Sequence, residues 1–444
     1  MIFRLCFLLL TKLFNGCPIN NSPIKKLFKF FLIKLKITEH LLIGKSAFWY
    51  LITGKQNSNA GYCDAASKNC ENGVNQGSPY KLIFYDVNPP EGFNLRRDVY
   101  MRFAIMLSQA RKRGRVDWRL VLPPWNKMYH WSSTTSKTTP QPWSDFFDID
   151  SLKSETPVME LHEVFKDTKS KILEIDTLYV LENFENPFEN GIFEDKWQFS
   201  NNCGYEGNYW GYKNVTAKEI ICVKFQGKIS KLWELIYQHR SDKRVMFAHG
   251  EIPLHDNYGS KTYWQCRKSM RFNKNLVKPA KYYISKKLNC NTDKCSTYLA
   301  VHWRRKDFSF NRPNDVPSIT GTVTQIDYAV KKNVPNVRKI FIASDASTIE
   351  LKVLEEQLRE LNYDVYSYLP DENDLKTFKE GGVAIIDQII CSRAVYFLGT
   401  HESTFSFRIQ EEREILGLDS NTTFNRLCPD SGPCEEPSKW TIIN

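Results

Sequence analysis

From Lys81 onward, short apolar runs alternate with longer segments in which apolar residues recur at helical spacing. KLIFYDV and DWRLVLPPW have the length and composition of buried strands. Between them, RRDVYMRFAIMLSQARKRG places Val99, Phe103 and Leu107 on one helix face and ends at Gly114. DTLYVLENF and RVMFAHG continue the pattern as strands, with a helix predicted over GKISKLWELIYQHR.

The second half of the chain repeats this alternation. Strands are predicted over TYLAVHW, VRKIFIASDAS, YDVYSYLP and VYFLGT, and helices over TGTVTQIDYAVKKN, TIELKVLEEQLRELN, GVAIIDQIICSRA and STFSFRIQEEREILG. Strands bounded by helices of this length indicate parallel sheets with right-handed crossovers. We therefore expect two α/β domains, residues 78–260 and 261–444, with ligands bound at the carboxyl ends of their strands.

Residues 1–77 are predicted to be a basic, poorly ordered leader. Residues 1–60 hold nine Lys or Arg and one acid, Glu39, so they carry most of the net charge of +11. The remaining chain has no excess of basic residues that would indicate a nucleic-acid-binding protein. Ile2 to Leu10 could be a signal-peptide core, but neither it nor LFKFFLIKLKI is long enough to predict a spanning helix. Whether this stretch is a signal, an anchor or a wrongly defined start stays open.

Twelve cysteines indicate an oxidising compartment. Several lie close together in polar surroundings, in the pairs Cys63/Cys70, Cys290/Cys295 and Cys428/Cys434. The spacings do not match a zinc site, so disulfides are the better interpretation. Three glycosylation sequons, beginning at Asn20, Asn214 and Asn421, agree with passage through the secretory pathway.

Glu91 lies in the segment NPPEG, between a predicted strand and a predicted helix. Such a junction attracts anions because the first N–H groups of a helix have no intrahelical partner, and Gly92 permits a close approach or a positive φ. The alternative is that Glu91 belongs to a capping arrangement, with Asp98, Arg96 and Arg97 on a solvated helix face.

Two further clusters follow predicted strands in the second half. HWRRKDF, from His302 to Phe308, offers adjacent arginines that could hold a diphosphate. GTHESTF supplies Ser403 and Thr404 at the start of a helix, where phosphate could bind or the residues could simply cap the helix.

A lone acid, Asp387, lies in an apolar helix and needs a donor partner, which a backbone group or the edge of a guanine could provide. Together with the three clusters after predicted strands, it predicts a site for a nucleoside diphosphate, although no phosphate-binding loop or G-x-G-x-x-G motif is present. The acidic run PDEND, residues 370–374, is interpreted as a solvated loop, so no metal site is expected.

Six stretches resemble the GDP-fucose protein O-fucosyltransferase family, and within it the members that modify thrombospondin type 1 repeats. They are YDVNPPEGFNLRRDVY, LPPWNKMYHW, PWSDFFD, HWRRKDF, GGVAIIDQIICSRA and STFSFRIQEEREILGLD. The resemblance implies an α/β, GT-B-like fold: two Rossmann-like domains with the active site in the cleft between them. It also implies a metal-independent, inverting peptide-O-fucosyltransferase. Such an enzyme moves fucose from GDP-β-L-fucose to Ser or Thr hydroxyls of folded thrombospondin type 1 repeats.

The same resemblance implies roles for individual residues. Glu91 matches the catalytic base, and Arg304 matches the arginine that stabilises the departing diphosphate. Glu412 matches a second carboxylate needed for activity, either in catalysis or in holding an arginine. Asp387 matches the acid that reads guanine. The other positions that match donor-binding residues are Pro90, Gly92, Phe93, Asn94, His302, Trp303, Thr404 and Phe405, and Trp303 departs from the leucine expected there.

The resemblance also implies the disulfides Cys203–Cys222 and Cys428–Cys434, whereas Cys63–Cys70 and Cys290–Cys295 are predicted only from proximity. Cys391, in an apolar helix, is predicted to be a buried free thiol.

The expected partners are GDP-fucose and folded thrombospondin type 1 repeat proteins, with no nucleic acid and no cofactor. We expect a monomer in the lumen of the endoplasmic reticulum, without a stable membrane span and glycosylated at Asn214 and Asn421. One alternative is a non-catalytic folding monitor that binds folded, disulfide-rich repeats. The other is an O-fucosyltransferase for EGF-like repeats, against which the stretch PPEGFNLRRDV argues.

Overall fold

A computed structural model describes residues 80–443, apart from 127, 129–130, 132–139, 168–171, 189–190, 206 and 208. The predicted leader, the pair Cys63–Cys70 and the sequon at Asn20 lie outside the described residues.

The first sheet has seven strands. They are β1 (Lys81–Tyr85), β2 (Trp118–Leu122), β3 (Val158–Glu160), β4 (Leu173–Glu182), β5 (Lys196–Ser200), β6 (Val215–Gln226) and β7 (Arg244–Ala248), in the order β3-β2-β1-β7-β4-β6-β5. Only the pairing of β5 with β6 is antiparallel. Because β1 pairs with β7, with Tyr85 opposite Phe247, the loops after these two strands are neighbours.

The helices that accompany this sheet are α1 (Phe93–Lys112), α2 (Ile149–Glu155), α3 (Leu161–Asp167), α4 (Leu232–Gln238) and α5 (Lys261–Ser269). Short 3-10 turns lie at Trp143–Asp145, Tyr209–Gly211 and Ile229–Lys231. The interior of α1 contains neither Gly nor Pro, and Arg111 and Lys112 complement the dipole in its last turn. The helix ends before Gly114, whose φ of +89° favours glycine.

The structure corrects the prediction that Arg97 and Asp98 lie on a solvated face of α1. Both are buried, as is Arg102 one turn later. The sequence pattern did not indicate this, because buried charged residues need partners that come from distant parts of the chain.

The second sheet has four parallel strands. They are β8 (Tyr298–Trp303), β9 (Lys339–Ser344), β10 (Asp364–Tyr366) and β11 (Tyr396–Leu398), in the order β10-β9-β8-β11. Its helices are α6 (Lys274–Leu288), α7 (Lys306–Asn311), α8 (Ile319–Asn333), α9 (Thr348–Glu360), α10 (Glu372–Arg393), α11 (Thr404–Ile415) and α12 (Ser420–Thr423). The acidic run PDEND is largely exposed, as predicted, but it forms the start of α10 and not a loop. Asp371 is the N-cap of α10 and accepts a hydrogen bond from the Asp374 N–H.

Every predicted strand and helix has a counterpart in the structure, and two α/β sheets are confirmed. The predicted domain boundary precedes α5, yet α5 packs on α1 and α2 of the first half, whereas α6 packs on α10. One buried apolar cluster runs from Ile83 of β1 through α6 to Ile385 of α10. Of the helices that the structure describes, none combines the length and the apolar character needed to cross a membrane.

Candidate active site

Glu91 lies in the tight loop that joins β1 to α1. Its N–H donates to the Asn88 carbonyl at 2.9 Å, and Arg96 donates back to the carbonyls of Glu91 (2.9 Å) and Pro89 (3.0 Å). The N-cap of α1 is Gly92 at φ −75°, without a side-chain cap. The capping alternative for Glu91 is therefore wrong, because the Glu91 carboxylate does not cap the helix. Gly92 does not adopt a positive φ.

The surroundings of Glu91 make its carboxylate a stronger base than usual. Partial burial raises the pKa of Glu91, and the nearby Glu251 carboxylate raises it further. Arg96 and Arg102 act in the opposite direction but do not cancel this effect. A partly buried carboxylate with a raised pKa is suited to accepting a proton from a substrate.

At the end of β8, the side chains of His302, Trp303 and Arg304 have different surroundings. The ring of His302 stacks on Phe405 at 4.3 Å, and its Nδ1 lies 2.8 Å from the Ser406 hydroxyl. Burial and the neighbouring Arg304 lower the pKa of His302 to about 3, so it is neutral. The side chain of Trp303 lies in the core of the second half, so only its backbone could contact a donor.

Arg304 is fixed by acidic side chains. Its Nη2 lies 2.7 Å from the Asp307 carboxylate, and its Nε lies 3.1 Å from Asp345. The backbone N–H of Arg304 donates to the hydroxyl of Thr400, which in turn donates to the His302 carbonyl. A guanidinium held in place at the end of a strand is suited to stabilising charge on a phosphate.

The start of α11 lies directly beside the end of β8. The Ser406 hydroxyl accepts from the Thr400 N–H at 2.9 Å, in addition to its contact with His302. Thr404 opens the helix, after Ser403 in an extended conformation. The predicted phosphate-binding positions Thr404 and Phe405 are therefore brought together with His302 and Arg304.

Asp387 has no protein partner for one of its oxygens. Its Oδ1 is buried and lacks a hydrogen bond among the described residues, and burial raises the pKa of this carboxyl well above its usual range. Leaving such an atom unsatisfied is costly. A ligand that offers N–H donors, such as a guanine, would satisfy it.

The first half contacts the second close to these residues. Gln388, next to Asp387, donates to the Asn94 side chain at 2.9 Å and accepts from Arg97 at 3.0 Å. Farther along α1, Asp98 lies 3.3 Å from Arg408 of α11. The beginning of α11 thus contacts the end of β8, and its second turn contacts α1, the helix that follows the Glu91 loop.

Glu412 lies in a charged cluster on α11. Its carboxylate is 3.2 Å from Arg267, and its side chain is 25% exposed. The adjacent Glu411 is fully buried and accepts from Arg267 and Arg408, each at 2.7 Å, and from the Tyr263 hydroxyl. Of the two interpretations of Glu412, these contacts favour the one in which it holds an arginine.

A cavity of about 1000 Å³ lies at the carboxyl edge of the first sheet. It is lined by residues of the Glu91 loop together with aromatic rings, among them Asn88, Pro89, Arg96, Trp125, Tyr205, Trp210 and His249. Asp86 also lines it, accepting from the Tyr205 hydroxyl (3.0 Å) and the His249 N–H (2.9 Å). Burial raises the pKa of Asp86 to about 6. The cavity has the size of a binding site.

Other predicted positions are found as follows. Pro90 is exposed at the turn, whereas Phe93 is buried against Trp125, Trp131, Phe146 and Phe147. Asn421 is exposed and Asn214 is partly exposed, so their glycosylation stays a prediction. The described residues contain no group of three or more His, Cys, Asp or Glu that could hold a metal ion.

The predicted disulfides within the described residues are confirmed: Cys203–Cys222, Cys290–Cys295 and Cys428–Cys434. Cys391 is a buried free thiol, as predicted, and so is Cys266.

Sequence reasoning missed Glu251, Asp86 and Gln388. The usable signal for Glu251 was an acid directly after a predicted strand, much as Glu91 follows the predicted strand KLIFYDV after a short turn. Glu411 was also missed, although two adjacent acids on α11 suggested that one of them could be structural.

The sequence relatives of the chain belong to one family. The profile of the family described as GDP-fucose protein O-fucosyltransferase matches residues 82–416. The proteins named GDP-fucose protein O-fucosyltransferase 2 from Homo sapiens and Caenorhabditis elegans are 38% and 35% identical, over 394 and 397 residues. Each alignment covers 82% of this chain and 90% of the relative.

Solved structures show the same fold. POFUT1 in complex with GDP superimposes with a TM-score of 0.52 at 17% identity, covering 80% of this chain and 98% of that one. POFUT1 in complex with GDP-fucose gives 0.53 at 16% identity, covering 77% and 96%. The GT-B-like fold expected from the sequence is thereby confirmed. With the family profile and these relatives matching most of its length, the chain belongs to the GDP-fucose protein O-fucosyltransferase family.

Proposed function

We propose that this enzyme transfers fucose from GDP-β-L-fucose, with inversion, to Ser or Thr hydroxyls of folded thrombospondin type 1 repeats. The observation that carries the proposal is the placement of Glu91 and Arg304. Each lies in the loop after a parallel strand, at the carboxyl edge of a different sheet. The helix after the Glu91 loop and the end of the strand before Arg304 both contact α11. Ligands bind at this edge of α/β sheets.

In the proposed reaction, the Glu91 carboxylate takes the proton from the acceptor hydroxyl. The hydroxyl oxygen forms a bond to the anomeric carbon of fucose, and the bond from that carbon to the β-phosphate oxygen breaks. GDP leaves with the bonding electron pair, and Arg304 stabilises the charge that develops on it. One such contact is typically worth about 3–4 kcal/mol of barrier. Attack opposite the leaving group converts the β-linked donor into an α-linked product.

The donor is proposed to lie against the second half, with guanine on Asp387 and the diphosphate near Arg304 and the start of α11. Support comes from the unsatisfied Oδ1 of Asp387 and from a fold neighbour, POFUT1, whose structure was solved in complex with GDP-fucose. We propose that the reaction needs no metal ion, since Arg304 can take over the neutralisation of the diphosphate.

The acceptor is proposed to lie on the first half, in the aromatic-lined cavity beside the Glu91 loop. An already folded repeat presents its hydroxyl in a fixed geometry, which suits a wide, largely preformed site. The disulfide Cys203–Cys222 ties residue 203 of the cavity wall to β6. Structural disulfides fit our proposal that the enzyme works in the lumen of the endoplasmic reticulum. We also propose that it acts as a monomer.

Transfer assays with purified protein test the proposal. GDP-fucose is offered with a folded thrombospondin type 1 repeat, the same repeat reduced and unfolded, or a folded EGF-like repeat, with and without a chelator. We expect fucose on the folded thrombospondin repeat alone, unaffected by the chelator, and an α-linkage by NMR. Glu91→Gln should lower kcat at least about a hundredfold while GDP still binds, and Glu356→Gln, on the exposed side of α9, is the matched control.

Each competing interpretation gives a different result in this assay. A folding monitor would bind the folded repeat without transferring fucose, and an enzyme for EGF-like repeats would modify that domain instead. Transfer by Glu91→Gln at the wild-type rate would remove Glu91 as the base.

A further inference from the structure

The turn after β7 is built in an unusual way. His249 has a φ of +60°, a left-handed conformation that is uncommon for residues other than glycine. The next residue, Gly250, donates its N–H to the Asp86 carbonyl at 2.9 Å, and a Cβ there would lie 2.9 Å from both that oxygen and the Phe103 ring. Backbone strain of this kind persists where the surrounding structure requires it, often at functional sites.

This turn brings Glu251 against the Glu91 loop. The Glu251 Oε2 accepts from the Asn88 N–H at 3.1 Å, and its Oε1 lies 3.4 Å from His249 Nδ1. Its backbone carbonyl accepts from Arg102 of α1 at 2.8 Å. The Glu251 side chain is 18% exposed, so its carboxylate is held in place between the two loops.

We propose that Glu251 is a positioning residue for fucose transfer: its carboxylate fixes the turn from Asn88 to Glu91 and holds a second negative charge beside the Glu91 carboxylate. This inference rests on the proposed role of Glu91 as the base. Glu251 need not touch either substrate, because it acts through the loop that carries Glu91 and through the electrostatic potential at its carboxylate.

The charged groups around Glu91 and Glu251 determine whether removing the charge of Glu251 raises or lowers the pKa of Glu91. From the β7 turn, Glu251 raises the pKa of Glu91, and from α1, Arg96 and Arg102 lower it. The carboxylate of Asp86, at the end of β1, acts on Arg96 and His249. Glu251 also raises the pKa of His249. Asp86 and Asp98, which pairs with Arg102 at 2.7 Å, remain in the variant, but neither replaces Glu251 as the anion that raises the pKa of Glu91. Removing the charge of Glu251 therefore lowers the pKa of Glu91 and makes it a weaker base.

The test is the pH profile of kcat/KM for transfer from GDP-fucose to a folded acceptor repeat. Glu251→Gln keeps an oxygen that can accept from the Asn88 N–H but removes the charge. We expect its acid limb to move to lower pH by at least about half a unit, and its plateau kcat to fall about threefold or more, as expected for a weaker general base. KM for GDP-fucose should stay unchanged. Glu251→Ala also loses the hydrogen bond and should lose about tenfold or more in kcat.

Two further variants separate the alternatives. His249→Asn should retain an acid limb, since the limb is attributed to Glu91 and not to the imidazole. Glu251→Asp keeps the charge but moves it away from Glu91 by one methylene. The acid limb of this variant should also move to lower pH, but less than that of Glu251→Gln. Glu251→Asp replaces Glu251→Gln as the test variant if Glu251→Gln does not fold. Glu356→Gln should leave the profile unchanged.

The possible failures are distinguishable. If Glu91→Gln transfers fucose normally, the proposed base is wrong and this inference falls with it. If Glu91→Gln is inactive but Glu251→Gln and Glu251→Asp keep the wild-type pH profile, only the role of Glu251 is overturned. A lower melting temperature with an unmoved acid limb would mean that Glu251 is merely structural.

Discussion

Asp387 illustrates what a single residue can reveal from sequence. A lone acid in an apolar helix is rare, because burial of an unpaired carboxylate is unfavourable, so its presence predicted a partner. In the structure, Asp387 Oδ1 is buried without a hydrogen bond among the described residues, so the described part of the protein does not supply that partner. Its pKa leads to a testable dependence of nucleotide binding on pH.

Because burial raises the pKa of Asp387, this carboxyl is protonated at higher pH than an ordinary aspartate. Guanine N–H donors bind the ionised form. GDP affinity should therefore be full above the raised pKa and fall, by up to about tenfold per pH unit, as the pH drops below it. Asp387→Asn should bind GDP about tenfold or more weakly at pH 7.5 and lose this dependence.

Isothermal titration of GDP between pH 5 and 8 measures both effects. Asp364→Asn, an exposed aspartate on β10, is the control. Unchanged GDP affinity in Asp387→Asn would show that this acid does not contact the base.

Glu251 marks the limit of prediction at the scale of single residues. Glu91 and Glu251 both follow strands, but only the first belongs to a segment that resembles a known family motif. Glu251 contacts the Glu91 loop because β7 pairs with β1, although β2 to β6 lie between these two strands in the chain. Pairing between strands so far apart in sequence depends on the packing of the whole sheet, so the sequence pattern of either strand does not reveal it.

At the scale of elements, strong apolar periodicity predicted α1, α8, α9 and α10, and all are present. The strand β6 was not predicted, although it is the longest described. In VTAKEIICVKFQ the half up to Ile220 carries exposed polar residues and only the end is well buried, so it lacks a continuous apolar run. The short strand β3 was missed because three residues show no periodicity.

The charged cluster on α11 gives a prediction that separates two adjacent acids. Glu411 is fully buried between Arg267 and Arg408, so Glu411→Gln leaves two buried guanidiniums without their closest anion. We expect it to lower the free energy of unfolding by about 3–5 kcal/mol. Glu412→Gln should lower it by about 1 kcal/mol or less, since that carboxylate is partly exposed and its contact with Arg267 is longer.

Urea denaturation of both variants, followed by circular dichroism at pH 7, measures the difference. Equal destabilisation by the two substitutions would contradict the assignment of Glu411 as the main partner of the arginines. A stable Glu412→Gln protein that no longer transfers fucose would instead restore the catalytic role that the family resemblance implies for Glu412.

At the scale of the whole molecule, the two predicted domains are less separate than their sequence patterns suggest. The repeated strand–helix alternation predicted two halves, and two sheets are present. The apolar cluster that the two halves share could not be predicted. The sequence indicates that Leu276 and Ile385 are buried, but it does not indicate which half of the chain packs against them. Polar contacts add to the junction, with Arg97 of α1 bound to Gln388 of α10.

We therefore expect the body of the protein to unfold in one cooperative transition. Calorimetry should give a van't Hoff enthalpy equal to the calorimetric enthalpy, because neither sheet keeps a complete core without the other. GDP at about one hundred times its Kd should shift the whole transition, adding about 2.7 kcal/mol of stability. Arg97→Met, which keeps an apolar stem among Phe93, Phe147 and Phe272 but loses the bond to Gln388, should still unfold in a single step at a lower temperature. Two resolved transitions in the wild type, with GDP moving only one, would mean that the halves are independent and that the donor is held by the second half alone.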